Sequence, residues 1–172
     1  NVYYDGADAF RDWMSHNRVI MGYDDVQGAL LSFDPLLGNG PDNTGRQIPY
    51  EDVDTRWKAF NRDYLVLYRP EQEADLMAIM GPLWDANYAA EVALAQSMAE
   101  LETPAADSFT VYNIGASLTL LGRYEEAAQY FDQARRMGLP WRMFWYMYGP
   151  FEAYYHVGRY EEILQMARDV IA

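Results

Sequence analysis

Residues 122–134 read GRYEEAAQYFDQA, and residues 158–170 read GRYEEILQMARDV. The two stretches share Gly-Arg-Tyr-Glu-Glu at a period of 36, and in each a Gly turn follows an apolar run of helical spacing. Self-similarity at such a period marks a repeated supersecondary unit, because one short hairpin cannot bury its own apolar face and must stack on a neighbour. From Asp107 to Ala172 the chain therefore reads as two helix-turn-helix units, an all-α helical-hairpin repeat module.

Within the first unit, Gly115, Gly122, Tyr124, Ala127, Phe131 and Ala134 fall at the spacings of small and large residues in a tetratricopeptide repeat, with Pro140 near the closing position. The module resembles that family. Gly115 and Ala127 allow the two helices of a hairpin to approach, while Phe131 fills the gap between one hairpin and the next. In the second unit Gly158 and Tyr160 persist, Ile163 and Ala167 replace the Ala and Phe, and Pro150 interrupts the first helix after Trp145. About three such units are usually needed for stability. A further one is expected upstream, in a helical connector or degenerate repeat over 71–106, with a helix from Ala86 to Leu101 ended by Thr103-Pro104.

The resemblance implies a groove lined by the first helices and occupied by a peptide or protein partner, with Tyr112, Ala116 and Thr119 as the lining residues. Tyr112 and Ala116 stand where relatives that clamp a terminal carboxylate carry Lys and Asn, so no such clamp is expected. The aromatic group Trp141, Phe144, Trp145, Tyr146, Tyr148, Phe151, Tyr154 and Tyr155 is expected as core in preference to a sticky face. His156, at the end of that helix, reads as a packed or solvated residue.

The 172-residue chain carries a net charge of −13, most of it before Asp107, and no basic stripe offsets it. A nucleic-acid backbone is repelled by such a field, so nucleic acid is set aside as a partner. No apolar run approaches the ~20 residues needed to cross a bilayer. The absence of cysteine excludes disulfides, thiolate metal sites and a cysteine nucleophile within these residues. No cofactor is implied. A start at Asn1 without Met, and an end inside a helical pattern, read as a piece of a longer protein.

Residues 1–70 follow a different rule, with β-branched and aromatic runs bounded by turn residues. Val19 to Tyr23 and Ala29 to Phe33 read as antiparallel strands about the turn Asp24–Gly28. A loop follows through Pro35, Gly38, Gly40 and Pro41, then a helix over Tyr50 to Phe60 and a third strand over Tyr64 to Tyr68 (YLVLY). The fold class is thus an α+β fragment of antiparallel strands plus one helix, followed by the helical-hairpin repeat. His16 and Asp34 lie nine residues either side of Asp25, which makes them candidates for a directly opposed pair with Cβ atoms ~5 Å apart. A carboxylate there fixes one imidazole nitrogen and leaves the other to deprotonate a nucleophile. A structural histidine beside a turn-stabilising Asp is the competing reading.

WMSHNRVIMGYDD (13–25), SFDPLLG (32–38) and WKAFNRDYLVLYRP (57–70) resemble the C-terminal half of a papain-like peptidase domain of the double-glycine, bacteriocin-processing group. The resemblance implies His16 as catalytic base, Asp34 as its orienting residue, a hydrolase acting on peptides, and a bacterial envelope or secreted setting. It also implies a cysteine and an oxyanion-hole side chain from the N-terminal half of such a domain, which would precede Asn1; residues 1–172 cannot perform the reaction by themselves. Three readings stay open: a cysteine-peptidase fragment whose repeats orient a substrate, an inactive peptidase-like scaffold whose repeats hold a partner, and a calcium site in the Asp- and Asn-rich loop. A calcium site at Asp34, Asn39, Asp42 and Asn43 lacks the EF-hand spacing, and no metal ligand set is assigned. Ser15 is set aside as a nucleophile because adjacent strand residues point to opposite faces.

Overall fold

The structure, a computed structural model, describes residues 2–4 and 14–171. Asn1, Trp13 and Ala172, which the sequence reading touches, lie outside them. The chain divides into two compact units between Asp63 and Tyr64, ahead of the boundary expected after residue 70.

The first unit opens with two short antiparallel strands, β1 (Val2–Tyr4) and β2 (Met14–His16). A three-stranded antiparallel sheet follows in the order β3 (Val19–Asp24), β4 (Ala29–Phe33), β5 (Arg46–Pro49). The Asp24 side chain accepts from the amides of Val26 and Gln27 at 3.0 and 3.1 Å, and Gly28 takes φ +62°, so the turn closes with residues suited to it. β5 is absent from the sequence reading. Only Ile48 of its four residues is buried, which leaves no alternation to detect. Helix α1 (Tyr50–Trp57) continues as a 3-10 turn over Lys58–Phe60, so the expected helix over Tyr50 to Phe60 tightens in its last turn. Asn61 and Arg62 then adopt positive φ, and the Arg62 guanidinium reaches back to both Asp54 oxygens at 2.6 and 3.0 Å. Ala29, Ile48, Ala59 and Phe60 form the small core.

YLVLY is not a strand. Residues 64–68 have no regular structure and belong to the second unit, where no strand occurs among the described residues. The alternating pattern has a separate cause. Tyr64 and Tyr68 turn toward Met80, Glu73 and Trp84, while Leu65 and Leu67 are each 89% exposed. An apolar alternation becomes a strand only where a neighbour supplies the ladder hydrogen bonds.

The rest of the second unit is helical: α2 (Glu73–Met80), α3 (Ala86–Leu101), α4 (Ser108–Leu120), α5 (Tyr124–Met137), α6 (Gly149–His156) and α7 (Tyr160–Ile171). The Asp85 side chain caps α3 by accepting from the Tyr88 amide at 2.8 Å, and Asp107 and Thr110 form a capping box on α4. Gly122 and Gly158, at φ +71° and +76°, turn α4 into α5 and α6 into α7. α3 packs on α4, α4 on α5, and α5 and α4 on α6, a succession of antiparallel hairpins. Phe131 is fully buried between two glycines: a Cβ at Gly115 would come within 2.7 Å of its ring, and one at Gly149 within 2.9 Å. The helix interrupted at Pro150 is replaced by a 3-10 segment over Trp141–Trp145 and by α6, whose first turn tolerates the proline because its N–H would be unpaired there anyway. The aromatic group expected as core divides. Tyr154 is buried, whereas Trp141, Trp145, Tyr146, Tyr148 and Tyr155 are exposed. Among the described residues no helix is long and apolar enough to cross a membrane.

Candidate functional site

Asp34 follows β4 and starts the next turn, and its side chain folds back on that turn: Oδ1 accepts from the amides of Leu36 and Leu37, both at 2.8 Å. The Gly38 amide donates to the Asp34 carbonyl at 2.9 Å, with Gly38 at φ +74°. Pro35 presets its own φ for this turn. The carboxyl is thereby fixed with its other oxygen directed across the sheet.

Two side chains meet it. Arg18 Nε donates to Oδ2 at 2.5 Å, and His16 Nε2 stands 3.2 Å from Oδ1 and 3.1 Å from Oδ2. All three are well covered, with side-chain exposures of 13% for His16, 7% for Arg18 and 0% for Asp34. Burial pushes the Asp34 carboxyl up, but the Leu37 amide, His16, the Leu36 amide and the Arg18 guanidinium together outweigh it and bring the group down to about 2. At neutral pH Asp34 is an ionised acceptor. The ring nitrogen facing it, Nε2, therefore carries a hydrogen.

The structure brings His16 and Asp34 together, though not as an opposed pair in one hairpin. His16 belongs to β2, whose register is with β1, across from Val2. In the β3–β4 ladder, Asp24 faces Ala29 and Gly22 faces Leu31; Met21 then bulges, and the register resumes with Ile20 on Ser32 and Val19 on Phe33. One step further along this register places Arg18 across from Asp34. The bulge thus seats a residue that the sequence reading missed, and His16 reaches the carboxylate from the side. Its signal was hidden, since nothing in VIMGYDD announces that Met21 drops out of the pairing.

One carboxylate makes both sets of contacts. It stabilises its own turn and also holds the imidazole. Ser15 precedes His16 in β2 and lies on the other face of that strand. In the acidic loop, Asn39 Nδ2 donates to Asn43 Oδ1 at 2.7 Å, the Asp34 carboxylate is already engaged, and no group of three or more His, Asp or Glu among the described residues converges on a metal position.

The expected groove residues are placed otherwise. Tyr112 is fully buried against the Phe131 ring, with centroids 5.0 Å apart, and Thr119 is buried with its hydroxyl donating to the Gly115 carbonyl at 2.9 Å. Ala116 is half-buried. α4 is packed against α3, α5 and α6, so Tyr112 and Thr119 are interior and not an open lining. His156 stacks flat on Tyr124, centroids 3.8 Å apart.

Comparison with protein families, with curated proteins and with solved structures found no match for the chain.

Proposed function

We propose that residues 1–63 carry the acid–base half of a cysteine-peptidase-like site, and that the helical hairpins are a tetratricopeptide-like module holding a peptide or protein partner. The observation that carries this reading is His16 Nε2 on the bisector of an ionised, buried Asp34 carboxylate. Asp34 fixes the ring, and Nδ1 then shuttles the proton. A thiolate, supplied by a residue outside this cysteine-free chain, attacks the carbonyl carbon and forms the C–S bond of a tetrahedral adduct. As the adduct collapses, His16 Nδ1–H gives its proton to the leaving amine nitrogen and the C–N bond breaks. Water hydrolyses the thioester, its proton passing to Nδ1, and the thiolate is released.

The lack of any cysteine also favours a second reading, an inactive peptidase-like scaffold that retains the His–Asp contact for stability while its repeats bind a partner. Peptide hydrolysis by the whole gene product separates the two. The enzyme reading expects cleavage that is blocked by thiol alkylation and falls at least ~10³-fold in His16→Ala, with the melting temperature changed by only a few degrees. Cleavage that survives alkylation, or survives His16→Ala, contradicts it. No cleavage at all favours the scaffold.

A further inference from the structure

Arg18 and His16 share the Asp34 carboxylate. The Arg18 Nε donates to Oδ2 alone, whereas the imidazole nitrogen lies 3.1 and 3.2 Å from the two oxygens. Oδ1 is meanwhile held by the Leu36 and Leu37 amides. Both oxygens are therefore fixed by groups other than the histidine: Oδ1 by the turn, Oδ2 by the guanidinium. Rotating the carboxylate out of its plane breaks one set or the other. With about four acceptor positions on an ionised carboxylate, these donors leave His16 only the central approach that it takes.

We infer that Arg18 is a positioning residue, which locks the plane of the Asp34 carboxylate so that the His16 ring is held in one orientation with Nε2–H directed at it. A guanidinium suits this place. It is rigid, it stays charged when nearly buried, and its fixed donor directions constrain an acceptor more than an ammonium does. Seating it depends on the bulge at Met21, so a backbone irregularity in β3 is coupled to the geometry of the pair. The value of this arrangement for catalysis rests on the reading of His16 and Asp34 as an acid–base pair; the contact and its test do not.

The test is proton–nitrogen NMR of the 172-residue chain, whose two histidines make the ring signals assignable through His156→Gln. In the unaltered chain the His16 Nε2–H resonance is expected downfield and slow to exchange. Arg18→Met should speed that exchange at least tenfold while the amide resonances of β3, β4 and β5 keep their positions, and Arg18→Lys should recover part of the protection. An unchanged Nε2–H resonance in Arg18→Met overturns the inference. If Arg18→Met fails to fold, Arg18→Gln and Arg18→Lys decide it: both should exchange the Nε2–H faster than the unaltered chain does, and unchanged exchange in both overturns the assignment. None of these readouts requires peptide cleavage, so an inactive protein leaves the outcome intact.

Discussion

Asp34 is the residue on which the first unit turns, and its ionisation has a measurable consequence. A carboxyl held at about 2, below its ordinary 3.8, favours the folded state at any pH above its unfolded value. That contribution, about 2 kcal/mol, is lost as pH falls through 4 toward 2. Asp34→Asn removes it at every pH. Urea unfolding of the two proteins should therefore show a stability gap that narrows by about 2 kcal/mol between pH 5 and pH 2, and a gap that stays constant would mean the carboxylate is not held as described. The proximity of His16 to Asp34 was expected from a hairpin register that the structure does not have, since His16 belongs to β2 and reaches Asp34 from outside the β3–β4 ladder. Arg18 was not legible, because its place depends on one bulged residue that composition does not mark.

At the scale of elements, the helices were the most readable part. The limits of α3 coincide with the sequence reading, since Asp85 and Thr103-Pro104 supply a cap and a stop on either side of a long helix-forming run. Gly115 and Phe131 illustrate why spacing carried information here: the ring occupies space that a single added methyl would enter. Gly115→Ala is expected to lower the melting temperature by a few degrees, up to about 8 °C, because overpacking of about 1–3 kcal/mol outweighs the ~1 kcal/mol that alanine's helix propensity returns. Adding Phe131→Leu to it should recover part of the loss. A rise in melting temperature for Gly115→Ala alone would contradict the packing. YLVLY marks the limit of pattern reading, as period-two hydrophobicity records which faces are apolar and not whether a partner strand exists. β5 fails for the opposite reason, being a true strand too short and polar to show a pattern.

For the whole molecule, the two units draw on different physics. The first depends on turns and a buried charged cluster around a small core; the second on stacked hairpins whose interior is dominated by Tyr112, Phe131, Ile114 and Tyr154. A second ionic cluster fastens the later hairpins, with Arg159 bidentate on Asp132 at 2.8 and 3.0 Å and Tyr154 donating to the same carboxylate at 2.7 Å. Arg159 repeats Arg123 at the period of 36 and makes the same i,i+3 contact, with Glu162 as Arg123 does with Glu126, and adds the contact with Asp132. The repeat was legible in sequence, whereas the burial of Tyr112 and Thr119 was not, because it depends on how the neighbouring helices pack around α4.

The central claim is that His16 and Asp34 work as one acid–base unit, and a double-mutant cycle on peptide cleavage by the whole gene product tests it most directly. Asp34→Asn should reduce kcat/KM by roughly 10²–10⁴-fold, and adding it to His16→Ala should cost little more than His16→Ala alone. Losses that multiply in the double variant would contradict the claim and leave the two residues as independent neighbours.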